Sequence, residues 1–140
     1  MIKIRWQKTV KNTGFFTSSY KISDTIKVSD YTNDSYIVKY AEILLNPLIY
    51  NWTFYFRGGI FSQKMDIDNF YSSDGLYIDN SILFTEKIFD EPVNVYKNYR
   101  CECDNIEYSG DLYFIAAINK LDEVTYEKLI INVNLELSTI

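Results

Sequence analysis

Histidine is absent from the chain. That absence removes the usual general base near neutral pH, the commonest metal ligand and the histidine-dependent catalytic triads. Cysteine is nearly absent: Cys101 and Cys103 stand alone, one residue apart. In a strand that spacing puts both thiols on one face, where a disulfide closing so short a loop would be strained. With no third cysteine and no histidine, the C-x-C pair has nothing to complete a metal site. Two reduced, partly buried thiols acting as small apolar groups are the expected state.

Basic clusters are missing too. The net charge is −5 and the charged residues are spread along the chain. Nothing can neutralise a run of phosphates, which argues against nucleic acid as a partner and disfavours general adhesion to an anionic membrane. No apolar run approaches the roughly 20 residues of a membrane span, so no transmembrane segment is expected. The start, MIKIRWQKTV, lacks the apolar segment of a secretion signal. The expectation is a soluble chain, cytoplasmic as synthesised, with later release outside the cell left open. No G-x-S-x-G, P-loop, G-x-G-x-x-G or paired C-x-x-C motif occurs, and no cofactor is called for.

What is present suits one globular domain, residues 1–140. At this length folding buries roughly two-thirds of the unfolded chain's surface, enough for a self-sufficient core. The chain is 47% hydrophobic and 17% aromatic, with thirteen tyrosines. Abundant Tyr, Ile and Asn with scarce Pro and Gly match an AT-rich coding genome, so codon bias accounts for part of that excess.

Period-two alternation is the dominant signal, the mark of strands with one wet and one dry face. Ile2, Ile4 and Trp6 oppose Lys3 and Arg5, and Ile26 and Val28 sit between polar neighbours. Tyr50, Trp52, Phe54 and Phe56 form an aromatic stripe opposite Asn51, Thr53, Tyr55 and Arg57. Gly58-Gly59 then predicts a tight hairpin turn, with Phe61, Met65 and Ile67 alternating on the return. Later, Val93, Val95, Tyr99, Cys101 and Cys103 share a face opposite Asn94, Asn98, Arg100 and Glu102. Tyr108-Ser109-Gly110-Asp111 reads as a turn, before Leu112, Phe114, Ala116 and Ile118. The cleanest strand is the last, with Leu129, Ile131, Val133, Leu135 and Leu137 opposite Asn132, Asn134, Glu136 and Ser138.

One segment departs from alternation. In 34–45, DSYIVKYAEILL, Ile37, Tyr40, Ala41, Leu44 and Leu45 fall on one face at helical spacing. Asp34 or Ser35 supplies a cap and Pro47 a stop, so a helix is the preferred reading, although the Ile, Val and Tyr content also suits a strand. Residues 7–20 and 69–80 read as loops. The expected fold class is therefore mainly β, an antiparallel sheet, curved or sandwiched, with one helix at about 34–45.

Chemistry-bearing candidates are few. A carboxylate glycosidase needs only two acids across a cleft, and Asp66, Asp68, Glu102, Asp104 and Glu107 qualify by type alone. Asp66, Asp68 and Asp74 lack the spacing of a calcium loop, and no metal site is called. An enzyme is not expected. Binding is the stronger reading, since rings on a sheet stack on sugars or line a groove for acyl chains. Tyr50, Trp52, Phe54 and Phe56 are read first as the wall of a core or groove. Tyr55 and Arg57 on the opposite face, with Tyr71 and Tyr77 nearby, are the candidate exposed patch for a partner. The sequons Asn51-Trp52-Thr53 and Asn33-Asp34-Ser35 read as incidental.

The stretch YSGDLYFIAAINKLDEVTYEKLIINVNLELS, with the size and composition, resembles the small OrfX-type accessory proteins of clostridial neurotoxin gene clusters. The resemblance covers mainly residues 93–138. It implies a TULIP-like fold, in which a curved antiparallel sheet wraps a helix, here 34–45. It also implies no catalysis, association with a larger protein of the same gene cluster, and recognition of a phosphoinositide-type lipid. No binding residue carries over.

Two functions follow. One is a non-enzymatic accessory protein that works by association, with or without lipid. The other is a carbohydrate-binding β-sandwich, or a phage-type binding module of that shape. The second predicts two packed sheets, no long helix, and an exposed ring among Trp6, Trp52, Tyr55, Tyr71 or Tyr77 beside polar groups.

Overall fold

A computed structural model describes residues 1–11, 20–47, 54–64, 81–84, 97–103, 105–120 and 128–140. Among these described residues nine strands follow in chain order: β1 (Ile2–Lys11), β2 (Tyr20–Ile26), β3 (Tyr36–Pro47), β4 (Phe54–Phe61), β5 (Ser81–Phe84), β6 (Lys97–Glu102), β7 (Glu107–Tyr108), β8 (Leu112–Lys120) and β9 (Lys128–Thr139). A single 3-10 turn, Val28–Asp30, separates β2 from β3. Among the described residues no helix is long and apolar enough to cross a membrane.

The strands form two antiparallel sheets. The first has the order β1-β9-β3-β6, with β7 also pairing β3; the second has the order β2-β8-β4-β5. The pairings nest: β4 with β5, β3 with β6, β2 with β8, β1 with β9. A nested hairpin rolled into two packed sheets is the jelly-roll arrangement. The core lies between the layers. Leu129, Ile131, Val133, Leu135 and Leu137 of β9, all 1% exposed or less, meet Phe56, Ile60, Phe114, Ala116 and Ile118 from the second sheet.

The helix expected at 34–45 is strand β3. Its buried residues are Tyr36 and Val38, then Ala41, Ile43 and Leu45. The phase changes because the register with β9 slips between Val38 and Tyr40, leaving Lys39 as an extra residue. A bulge of this kind flips every later side chain to the other face. Two strand phases joined by one bulge mimic the three-and-four spacing of a helix.

The hairpin turn expected at Gly58-Gly59 is also absent, since β4 runs straight through both glycines. Gly58 lies opposite Ala116 of β8, and a Cβ on it would sit 2.5 Å from the Ala116 Cβ. The glycine permits close approach of two strands rather than a turn. Positive φ occurs instead at Gly110, at 80°. There the chain leaves β7 in the first sheet for β8 in the second. Tyr36 donates its hydroxyl hydrogen to the Gly110 carbonyl at 2.7 Å, and the Ser29 N–H donates to Asp111 Oδ1 at 3.0 Å, pinning the crossing.

Of the loop expected at 7–20, residues 7–11 belong to β1 and Tyr20 to β2, and 12–19 lie outside the described residues. Lys8 falls on the core-facing side of β1 and interrupts its apolar pattern. It pairs with Asp24 of β2 at 2.7 Å across the mouth of the sandwich.

Candidate functional site

The outer face of the first sheet is a grid set by register. Beyond the bulge, β3 turns Tyr40, Glu42 and Leu44 outward. Pairing aligns Arg5, Asn134, Glu42 and Arg100 in one row across β1, β9, β3 and β6. The row on one side aligns Gln7, Asn132, Leu44 and Asn98; on the other, Lys3, Glu136 and Tyr40. A depression of about 620 Å³ lies over these rows and is lined by Lys3, Arg5, Gln7, Tyr40, Glu42, Asn132, Asn134 and Glu136 among others.

Glu42 organises the grid. Its Oε1 accepts from Asn134 Nδ2 at 2.9 Å; its Oε2 accepts from the Tyr40 hydroxyl at 2.8 Å and from Asn98 Nδ2 at 3.1 Å. Partial burial pushes the carboxyl pKa up, but the donors Asn134, Tyr40 and Asn98 and the Arg100 charge outweigh it and hold the group below its usual range. The hydrogen bond to Glu42, with burial and the carboxylate charge, raises the Tyr40 phenol pKa, against an opposing hydrogen bond and charge from Arg100. At neutral pH Glu42 is thus an ionised acceptor and Tyr40 a neutral donor. An ionised carboxylate offers about four lone-pair sites, so three donors leave capacity at Oε1. Lys3 and Arg5 make no ion pair among the described residues; the pair found there is Lys8–Asp24.

Of the site residues expected from the sequence, Phe54, Tyr55, Phe56 and Arg57 fall in described strand β4. Phe56 is fully buried in the core, 6.2 Å from the Phe114 ring. Arg57 is on the opposite face of β4, as its spacing requires, but is only 5% exposed, so that position is no surface patch. Phe54 and Tyr55 occupy β4, aligned with Lys120 and Asn119 of β8. Tyr50, Trp52, Tyr71 and Tyr77 lie outside the described residues, as do Asp66, Asp68, Asp74 and Asp104. Glu107 is exposed in β7, and Glu102 ends β6. The Cys101 and Cys103 side chains are half-buried, with their sulfur atoms 3.1 Å apart.

Sequence reasoning did mark Lys3, Arg5, Asn98, Arg100, Asn132, Asn134 and Glu136 as the polar sides of their strands. It missed Glu42, and put Tyr40 on an apolar helix face. The available signal was the polar set of each strand; strand order was needed to bring the sets together.

Comparison with known proteins adds to the topology. No protein-family model matches the chain, and no curated protein matches it. The BFDV capsid protein in its 60-mer form superposes with a TM-score of 0.50 at 12% identity, over 97% of this chain and 90% of that one. The likeness is one of fold. The decameric form of the same capsid protein gives 0.48 at 12% identity, covering 97% and 95%, and a chain of turnip yellow mosaic virus gives 0.41 at 9%, covering 99% and 95%.

Proposed function

We propose that the protein is a non-enzymatic binding module that recognises a hydroxyl-rich, carbohydrate-type ligand on the outer face of its first sheet. The observation that carries this reading is the Glu42 carboxylate, held by Tyr40, Asn98 and Asn134 inside the grid. Sugar hydroxyls donate and accept at once. A fixed acceptor beside amides, a phenol and the Arg5 guanidinium offers both partners in fixed positions, and preorganisation lowers the cost of binding. Glu42 is ionised and hydrogen-bonded, which suits an acceptor better than a general acid. Glycan-array binding of the purified protein, repeated with Glu42→Gln, tests the reading. The expected result is array signal from the native protein and at least about a tenfold loss in the variant, the loss of one charged hydrogen bond. No signal, or equal binding by the variant, overturns it.

A second reading is association with other protein chains, favoured by the fold held in common with the BFDV capsid protein, which forms a 60-mer. A larger partner from the same gene cluster would belong to this reading. A phosphoinositide-type headgroup at the grid would meet Glu42 and Glu136 beside Lys3 and Arg5, and the two carboxylates oppose it. Light scattering on the purified chain, alone and with that partner, reads this out: a monomer that captures nothing ends it.

A further inference from the structure

A second depression, of about 250 Å³, opens on the other side of β1, lined by Trp6, Thr25, Lys27, Asp30 and Tyr31. It shares Ile4, Arg5 and Trp6 with the larger one. Consecutive side chains of a strand point to opposite faces, so Arg5 serves the outer grid while Trp6 serves this slot. Because β1 ends the sheet order, no described strand stands between the two. Trp6 is half-buried, its ring 5.0 Å from that of Phe114, which fixes its plane. Tyr31 is 50% exposed, and its N–H donates to the Val28 carbonyl at 2.9 Å. Two rings beside Thr25, Lys27 and Asp30 make an amphipathic slot, the kind of surface that takes the apolar face of a pyranose while its rim holds hydroxyls.

Resting on the reading of the outer grid as a sugar site, we infer that the ligand is a neutral oligosaccharide, not a single sugar. One part of it lies on the grid. The chain then passes over β1 at Arg5 and stacks its next unit at Trp6 and Tyr31. Strands lie ~4.8 Å apart, so β1 to β3 alone spans about 10 Å, already wider than one pyranose ring. Charge decides for a neutral chain. Among the residues lining the two depressions, Lys3, Arg5 and Lys27 are matched by Glu42, Glu136 and Asp30, three against three, in a protein of net charge −5.

Titration calorimetry with linear glucan, xylan and chitin oligosaccharides, from the monosaccharide to the hexasaccharide, is the test. In the best-bound series, affinity should rise about tenfold or more between disaccharide and tetrasaccharide, the increment of one stacked ring. Tyr31→Ala should abolish that rise and leave disaccharide affinity unchanged. Trp6→Phe, which keeps a ring against Phe114, should reduce the rise in part. Equal affinity at all lengths, or a rise intact in both variants, overturns the second subsite while leaving the grid. Binding confined to uronate or sulfated chains overturns the neutral assignment. Binding of no oligosaccharide, or capture of an extended peptide along β1 instead, overturns the inference together with the reading it rests on.

Discussion

The outer faces of the two sheets are opposites. On the first sheet, β9 sends Asn132, Asn134 and Glu136 outward beside Arg5 and Glu42, and the face lies open over a depression. On the second, β8 and β4 turn Ile115, Phe61, Ala117 and Arg57 to the corresponding side, and all are buried, at 0%, 0%, 2% and 5% exposure. A strand dry on both faces reads as a continuous apolar run, and LYFIAAI of β8 is such a run. LIINVNLEL of β9 alternates strictly. Among the described residues, the first sheet's outer face is polar and open, whereas the corresponding side of β4 and β8 is buried.

The contrast breaks most visibly by placing the same polar side chain on each face. Ile115→Asn should cost about 2–5 kcal/mol in urea unfolding, because it deletes buried methyl groups and buries an amide. Leu44→Asn, in the open row of the first sheet, should stay below about 1 kcal/mol. Comparable losses would mean that the first sheet's outer face is also core.

A smaller loss is expected from Gly58→Ala. Its Cβ would meet the Ala116 Cβ at 2.5 Å and backbone atoms of Ala116 and Ile115 at 2.9 Å. Overpacking of this sort costs about 1–3 kcal/mol. Adding Ala116→Gly should recover only part of it, since the backbone contacts persist. Full tolerance of the single change, read from the unfolding midpoint, would show that β4 and β8 do not need the close approach at Gly58.

The smallest effect lies in the Glu42 titration. Its folded pKa is depressed below the reference of 4.5. Its contribution to stability is therefore complete above about pH 4.5 and is lost as pH falls through the lower folded value. Urea midpoints of the native protein and Glu42→Gln should differ most near neutrality and converge in acid. A difference that is constant with pH would show that the carboxylate network contributes nothing to the grid.

Legibility followed phase. β9 and the first half of β1 were readable because each keeps one period along its length, whereas β8 was read as alternating although both of its faces are buried from Phe114 to Ile118. β3 was not, since the Lys39 bulge joins two phases that together imitate helical spacing. The rest of β1 was hidden by Lys8, a charge on a core-facing position, where it pairs with Asp24 of the other sheet. With 34–45 a strand, the helix that a TULIP-like sheet would wrap is gone, and the two packed sheets of the sandwich expectation stand in its place.

The sequence by itself determined that this protein is mainly β, antiparallel and built of strands with a dry side, because period-two burial is a local property of each strand. It also determined which side chains β9 and the first half of β1 send to water. Only the tertiary structure decided that β1, β9, β3 and β6 lie side by side, so that Arg5, Asn134, Glu42 and Arg100 form one row. Register between strands dozens of residues apart depends on bulges, close glycine contacts and core filling. None of these leaves a periodic trace in the chain.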